Sequence, residues 1–336
     1  MVARDGMTRF SGQQVVAAVI FFLLLVAPPF LSSFLLTLLT QALIYGILAM
    51  SLDIILGYTG LASLGHAAYF GIGAYSVGIL ATRYGAAFGI TLPAGVLLAV
   101  LVAAMFGTVA LRATGVYFLM ITLALGMIVW GLAHRWVTMT QGDNGISAIS
   151  RPDLGLPWSL SLSIPFYYFA LAGFLIAFWI LRVIVRSPFG QTLVGIRESE
   201  SRMRTLGYHV WLHKYIGFVI AGGFGGFAGV LWAYYNGFVS PVDLQLATSV
   251  EVLLMVALGG RGSLIGPALG AGIIVLLKNL VSVYTHRWLL ILGAVYILTI
   301  VYAPEGILGA MKRRTKEVKP RAVGVHGLTE GEIEGG

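Results

Sequence analysis

Long uninterrupted apolar runs dominate the chain and are separated by short polar segments. Residues 20–26, 92–105 and 164–180 are continuously apolar, without the alternation of polar and apolar positions that strands of a membrane β-barrel would show. Only structures that satisfy their own backbone hydrogen bonds cross a lipid bilayer, and helices do so at these lengths. We therefore predict an all-α fold, a polytopic bundle of helices embedded in a membrane.

A window of about nineteen residues locates the candidate membrane helices. There are ten of them, at residues 12–28, 33–56, 61–81, 91–111, 115–134, 164–185, 214–236, 248–260, 264–282 and 287–303. At about 1.5 Å of rise per residue, the segment 248–260 is too short to cross a bilayer. A tilted, a broken and a re-entrant arrangement of this segment all remain open.

Composition supports the membrane class and excludes several chemistries. Of the 336 residues, 58% are hydrophobic and only 10% are charged, unlike an ordinary soluble domain. The absence of cysteine excludes disulfides and thiolate metal sites. No Gly-x-x-x-x-Gly-Lys sequence is present, so any ATP hydrolysis must come from another chain. We predict no catalytic residue, no metal ligand and no cofactor.

The basic residues indicate how the chain is oriented in the membrane. The net charge is +8, but the cations lie beside apolar spans and not on one soluble face, which argues against nucleic acid as a partner. Sixteen of the 21 Lys and Arg fall on the side that holds the N-terminus, the polar segment 182–214 and the C-terminal tail. This side is predicted to be cytoplasmic. Residues 1–311 then form the membrane domain, and 312–336 a disordered cytosolic tail.

The polar segment 186–214, here called the cytosolic segment, stands out in the apolar chain. Pro188 and Gly190 indicate the start of a helix and Gly207 its end. One face of this single predicted helix carries Leu193, Ile196, Met203 and Leu206. We interpret it as a docking helix for a soluble protein. A helix lying on anionic lipid is the alternative, against which the acidic Glu198 and Glu200 argue.

Glycine-rich stretches indicate close helix packing or a solute pathway. Residues 57–65 precede a helix that places Gly71, Ala74 and Gly78 on one face, and His66 lies at its start. Tight packing of this helix is one interpretation. The other is a partly unwound segment that exposes backbone groups to a solute. Two overlapping small-residue pairs within 222–229 favour packing.

Acidic residues are few within the apolar segments. Asp53 and Glu251 lie near predicted span ends, where we expect water at the interface to solvate them. No chain of Asp, Glu and His is evident, which argues against a proton-coupled carrier. The glycine-rich turn at 258–270, with Arg261 at its tip, lacks the strand and Lys-Ser/Thr of a phosphate-binding loop. A cytosolic hairpin that contacts the same partner is the favoured interpretation.

Four groups of residues, taken in order, resemble the branched-chain amino-acid ABC importer permeases of the LivM type. They are 57–75, 115–126 with Gly142-Asp143-Asn144-Gly145-Ile146, 187–207, and 258–270 with 303–309. The resemblance covers about residues 51–309. Two departures occur: a proline usually precedes the Asn of the Gly142–Gly145 motif, which leaves the substrate open, and a basic residue is common where this chain has Gln191, which concerns docking only.

The resemblance implies a subunit of the bacterial inner membrane with several partners. These are a LivH-type permease subunit, two cytosolic ATP-binding subunits and a periplasmic substrate-binding protein. The implied substrates are leucine, isoleucine and valine, although related permeases carry urea or short amides. The residues expected to couple this chain to the ATPases are Gly190, Ile196, Arg197, Glu198, Leu206 and Gly207.

The resulting hypothesis is alternating access, with ATPase closure moving the cytosolic helix. The pathway for the amino acid is placed at Gly65, His66, Gly71 and Thr122, because a fixed full charge would hold a zwitterion too tightly. Three alternatives remain: a urea or short-amide permease, a secondary carrier driven by an ion gradient, and a receptor or scaffold without transport.

Overall fold

The computed structural model describes residues 24–152 and 160–284, and after these only residues 290, 291, 293–295, 297, 298, 306 and 307. This described part is helical and has no strand, apart from one isolated bridge between Ile146 and Val239. The all-α prediction is confirmed. The predicted spans 12–28 and 287–303 lie mostly outside the described residues, and the tail 312–336 lies wholly outside them.

Ten helices of six or more residues follow one another along the described chain. They are α1 Ser33–Asp53, α2 His66–Tyr84, α3 Phe88–Ala110, α4 Val116–Arg135, α5 Ser163–Arg186, α6 Pro188–Glu198, α7 Glu200–Thr205, α8 Val210–Asn236, α9 Leu246–Gly259 and α10 Ile265–Tyr284. Six segments are long and apolar enough to cross a membrane: Ser33–Tyr58, Phe88–Ala110, Val116–Arg135, Ser163–Arg186, Val210–Asn236 and Ile265–Val283. The chain is a multi-pass membrane protein.

Helices α1 and α8 form the centre of the bundle. In each of these two spans 72% of the most apolar stretch is buried, against 22% in α3 and α4, which lie at the periphery. Glycines allow the close packing of α8 that the sequence predicts. Gly222 and Gly226 lie against Ala103 and Ala99 of α3, and Gly229 lies against the backbone of Phe70 in α2.

Helix α1 loses its regular form at its end. A π-helical turn, Ile54–Tyr58, follows Asp53, and residues 60–65 have no helical structure before α2 begins at His66. Gly60 has a φ of 77°, a conformation that glycine adopts without strain and that reverses the chain here. Residues 60–65 are therefore unwound, in line with one of the two interpretations of residues 57–65, whereas Gly57 and Tyr58 stay in the π-helical turn.

Helix α9 accounts for the short apolar segment. It has 14 residues and a length of about 21 Å, less than the hydrocarbon thickness of about 30 Å. A 3₁₀ turn, Pro241–Leu244, precedes it, and Leu244 packs against Gly71 within the buried part of α2. Helix α9 therefore begins inside the bundle.

The single helix predicted for the cytosolic segment is wrong, because two helices form. Ser199 has an extended backbone, with φ −162° and ψ 102°, and its hydroxyl accepts a hydrogen bond from the Arg202 N–H. A serine in this geometry caps a new helix, so α6 ends and α7 begins. The predicted apolar face is divided as a result: Leu193 and Ile196 are buried, whereas Leu206 is 65% exposed.

Candidate functional site

Helix α6 holds the cytosolic segment against the bundle. Two of its buried residues, Leu193 and Ile196, are at most 1% exposed, and Leu193 packs beside Gly217 of α8. Gly190 is also buried, directly against the backbone of Val185 at the end of α5. Gly190 and Ile196, two of the predicted coupling residues, are therefore covered by other parts of this chain.

The opposite side of the cytosolic segment forms an exposed surface. Leu206 and Tyr208 are 65% and 45% exposed, and Glu198 and Arg204 are exposed as well. Gly207, with a φ of 86°, turns the chain between them. Arg204, Tyr208 and Trp211 help to line a shallow cavity of about 550 Å³. We call Glu198, Arg204, Leu206, Gly207 and Tyr208 the docking surface.

Glu200 does not belong to this surface, contrary to its interpretation as a partner-facing acid. Its carboxylate forms an ion pair with Lys214 at the start of α8 and a second one, at 3.4 Å, with Arg204. Lys214 is only 6% exposed, and a buried ammonium requires such a partner. Glu200 therefore fixes α7 to α8.

Arg197 reaches from α6 into the bundle. Its Nη1 donates a hydrogen bond to the carbonyl oxygen of Gly57 in the π-helical turn. Its side chain also lies next to Gly60 and Gly262. The residue as a whole is nevertheless exposed to solvent. Arg197 thus joins the cytosolic segment to the end of α1.

Asp53 is fully buried, so the expectation that interfacial water solvates it is wrong. Its Oδ1 accepts a hydrogen bond from the Gly262 N–H at 2.7 Å, and its Oδ2 accepts one from the Leu264 N–H at 3.3 Å. These donors belong to the glycine-rich turn between α9 and α10. Leu264 has a φ of 51°, which is strained for a leucine, and the Asp53 carboxylate holds its backbone there.

The contacts of Arg197 and Asp53 meet at one place. We call Asp53, Gly57, Arg197, Gly262 and Leu264 the junction. A Cβ on Gly262 would lie 3.3 Å from both the Arg197 Nη1 and the Gly57 carbonyl oxygen, so three separate chain segments pack here without intervening side chains. The sequence pattern did not predict this site. Its signal was an acidic residue inside an apolar helix, which needs a specific partner.

Three of the four predicted pathway residues lie together where α2 begins. The Leu64 N–H donates to the Thr122 hydroxyl at 3.2 Å, and Gly65 lies directly against the Thr122 backbone. His66 is fully buried, and its Nε2 lies 2.7 Å from the Ser51 hydroxyl. We call Ser51, Gly65, His66 and Thr122 the polar cluster.

One atom of the polar cluster is unpaired, and two neighbouring residues of α2 contact other parts of the chain. The His66 Nδ1 has no hydrogen-bond partner. The Ala67 N–H, at the start of α2, donates to the Ser249 hydroxyl of α9 at 3.0 Å. Gly71, the fourth predicted pathway residue, lies one and a half turns further along α2 and packs against Leu244. In this conformation, the missing side chain of Gly71 leaves room for Leu244.

A second polar group lies on α9 and α10. Glu251 is only 4% exposed, which contradicts the expectation of an interfacial acid, and its carboxylate oxygens lie 2.9 and 3.1 Å from the Lys278 Nζ. Asp243 nearby accepts hydrogen bonds from the Trp232 Nε1–H and the Ser240 N–H, at 3.0 and 3.1 Å. Burial raises the pKa of Asp243, and these two bonds oppose that rise.

The candidate site as a whole consists of hydrogen bonds, ion pairs and packing contacts between residues of this chain. Among the described residues, no three His, Asp or Glu side chains are placed to hold a metal ion together. The three parts of the candidate site are a helix pair with an exposed outer surface, a junction at the broken end of α1 and a polar cluster inside the bundle.

Comparison with known proteins identifies the family. Residues 34–300 match the family described as the permease component of branched-chain amino acid transport systems. The high-affinity branched-chain amino acid transport system permease protein LivM of Salmonella typhimurium is 32% identical over 307 residues, covering 85% of this chain and 72% of the relative. The protein of the same name from Escherichia coli is 32% identical over 299 residues, covering 82% and 70%.

A more distant relative comes from an archaeon. The probable branched-chain amino acid transport permease protein LivM of Methanocaldococcus jannaschii is 25% identical over 159 residues, which cover 43% of this chain and 46% of the relative. No solved structure matches the chain. Because the family match extends over most of the helical bundle, this chain belongs to the family of branched-chain amino acid transport permeases.

Proposed function

We propose that this chain is a membrane-spanning permease subunit of an ATP-driven ABC importer for branched-chain amino acids. It would lie in the bacterial inner membrane with both termini and the cytosolic segment in the cytoplasm. The observation that carries the proposal is the two-sided cytosolic segment, which exposes Leu206 and Tyr208 outward and contacts Gly57 through Arg197. The names of the related permeases support the class of substrate.

In this proposal the chain performs no bond chemistry. Two cytosolic ATP-binding subunits hydrolyse ATP, and one of them holds the docking surface. Their closure moves α7 and α6, and packed helices carry the movement to the polar cluster, since close-packed elements transmit displacement as rigid bodies. The pathway would alternate between the two sides of the membrane.

The other proposed partners are a LivH-type permease subunit and a periplasmic substrate-binding protein. The amino acid would pass the polar cluster, where Gly65, His66 and Thr122 provide backbone and side-chain dipoles without a fixed full charge. Gly71 would act beside them by leaving room for Leu244. A zwitterion can be released from such groups more readily than from a full counter-charge.

Uptake by reconstituted vesicles tests the proposal. The complete complex, with both permeases, both ATPases and the binding protein, is placed in liposomes and supplied with labelled leucine. We expect uptake that requires ATP and is abolished by an ATPase subunit unable to hydrolyse it. Uptake that persists with the inactive ATPase would instead identify an ion-driven carrier, and no flux under any condition would indicate a receptor or scaffold.

One sequence feature leaves the substrate open. The turn Gly142–Asn144 lacks the proline that usually precedes its asparagine, and a permease for urea or short amides is the alternative. Competition decides between them. We expect unlabelled leucine, and not urea, to reduce the ATP-dependent uptake of labelled valine.

A further inference from the structure

Two hydrogen-bonded side chains, Asp53 and Arg197, hold three segments of the chain at one point. The segments are the π-helical end of α1, the turn between α9 and α10, and α6 of the cytosolic segment. Both side chains form these hydrogen bonds with backbone groups of the three segments. The polar cluster is next to them along the chain, through Ser51, two residues before Asp53, and through residues 60–65.

We propose that Asp53 and Arg197 are positioning residues that make α6, the end of α1 and the α9–α10 turn move as one unit, so that movement of the docking surface displaces the unwound residues 60–65. This inference rests on the proposed function. It adds the route by which movement enters the membrane part and the two side chains on which that route depends.

The geometry gives the unit its stiffness. The Asp53 carboxylate is fully buried and uses both oxygens on backbone N–H groups of the turn. Hydrogen bonds to a buried carboxylate are stronger than those between neutral groups, and the strained backbone of Leu264 depends on them. The turn therefore cannot shift relative to α1 without leaving the buried Asp53 oxygens and two backbone N–H groups unpaired.

Arg197 supplies the connection to α6. Its guanidinium is a planar, permanently charged group whose N–H donates to the Gly57 carbonyl, one turn after Asp53. The missing side chain of Gly262 leaves room for the guanidinium, and that of Gly57 lets the Asp53 carboxylate and the Gly262 nitrogen lie close to its backbone. Residues 60–65 begin three residues after Gly57 and lead directly to Gly65 and His66 of the polar cluster. A displacement of Arg197 therefore acts on the segment that leads to the proposed pathway.

The test measures the transport ratio, the number of leucine molecules transported per ATP hydrolysed, by the complete complex in liposomes. Arg197→Met keeps the apolar stem of the side chain and removes its hydrogen-bond donors. We expect ATP hydrolysis to continue and the ratio to fall about tenfold, because a charge-assisted hydrogen bond of about that strength is lost. Arg197→Lys restores one donor and should restore most of the ratio. Arg204→Met, on the docking surface, should lower hydrolysis and uptake together and leave the ratio unchanged.

An unchanged ratio in Arg197→Met, or an equal fall of the ratio in Arg204→Met, would overturn the inference. Such a result would leave the proposed function intact, because that function fails only if the unmodified complex shows no ATP-dependent uptake. Asp53→Asn, which keeps one acceptor oxygen, should lower the ratio by less than Arg197→Met does.

A second measurement applies even if Arg197→Met does not assemble. The chain has no cysteine, so single cysteines take spin labels directly. Labels at the exposed positions Gln191 in α6 and Arg261 in the α9–α10 turn should keep their separation when ATP closes the complex, whereas labels at Gln191 and Tyr117 in α4 should change theirs. A change in the first distance, or no change in either, would contradict movement as one unit.

Discussion

At the scale of single residues, the bundle depends on glycines that face other backbones. The position where a Cβ on Gly229 would lie is occupied by the Phe70 carbonyl group and is 3.0 Å from the Ala74 nitrogen. Backbone atoms cannot move aside as a flexible side chain can. Helices α8 and α2 therefore approach each other only because this position has no side chain.

Gly229→Ala should lower the free energy of unfolding by about 1–3 kcal/mol, because the added methyl overpacks the contact with α2. Gly131→Ala in α4 is the matched control, since nothing lies within 4 Å of its Cβ position. It should stabilise its helix by about 0.5–1 kcal/mol. Thermal unfolding in detergent measures both. Equal unfolding temperatures for the two variants would contradict the packing described.

The Thr122 hydroxyl provides a second prediction at the scale of residues. It accepts from the Leu64 N–H, so Thr122→Val leaves that donor unpaired at a cost of about 1–3 kcal/mol, whereas Thr122→Ser keeps the bond. We expect slower leucine uptake by the valine variant and near-normal uptake by the serine variant. Normal uptake by both would remove Thr122 from the proposed pathway.

At the scale of elements, one serine hydroxyl divides the cytosolic segment into two helices. The Ser199 hydroxyl caps α7, and this break turns Leu206 outward while Leu193 and Ile196 stay buried. The segment therefore has one face for the bundle and one that is open to a partner. A single continuous helix would have placed all of these apolar residues on the same side.

The ion pair between Glu251 and Lys278 joins the short helix α9 to α10. Lys278→Met leaves the Glu251 carboxylate buried without its partner and should destabilise the protein by about 3–5 kcal/mol. The double variant Lys278→Met with Glu251→Leu removes both charges and should recover most of this loss. Thermal unfolding of the three proteins is the measurement. No recovery in the double variant would indicate that the pair does more than join the two helices.

Much of the fold could be predicted from sequence, because apolar length and glycine spacing act locally. The unwound residues 60–65 and the close packing of 222–229 are examples. The ends of helices that depend on one side chain, such as Ser199, could not be predicted in this way. The partners of Asp53 and Glu251 could not be predicted either, because the hydrogen bond of Asp53 and the ion pair of Glu251 join residues that are distant in the sequence.

At the scale of the whole molecule, the described contacts form a continuous route from the docking surface to the polar cluster. The route runs through α6, the junction and residues 60–65. The orientation of the bundle decides from which side of the membrane this route begins. The docking surface lies at one end of α5 and α8, and Tyr84, at the end of α2, lies at the other.

The most direct test of the account is therefore the side of the membrane that the cytosolic segment faces. Cysteine is introduced singly at Ser201 in α7 and at Tyr84, both of them exposed, in a chain that has no other cysteine. We expect a membrane-impermeant maleimide to label Tyr84→Cys in intact spheroplasts and Ser201→Cys only in inverted vesicles. Labelling of Ser201→Cys from outside the intact cell would contradict the account, because no cytosolic ATPase could then reach the docking surface.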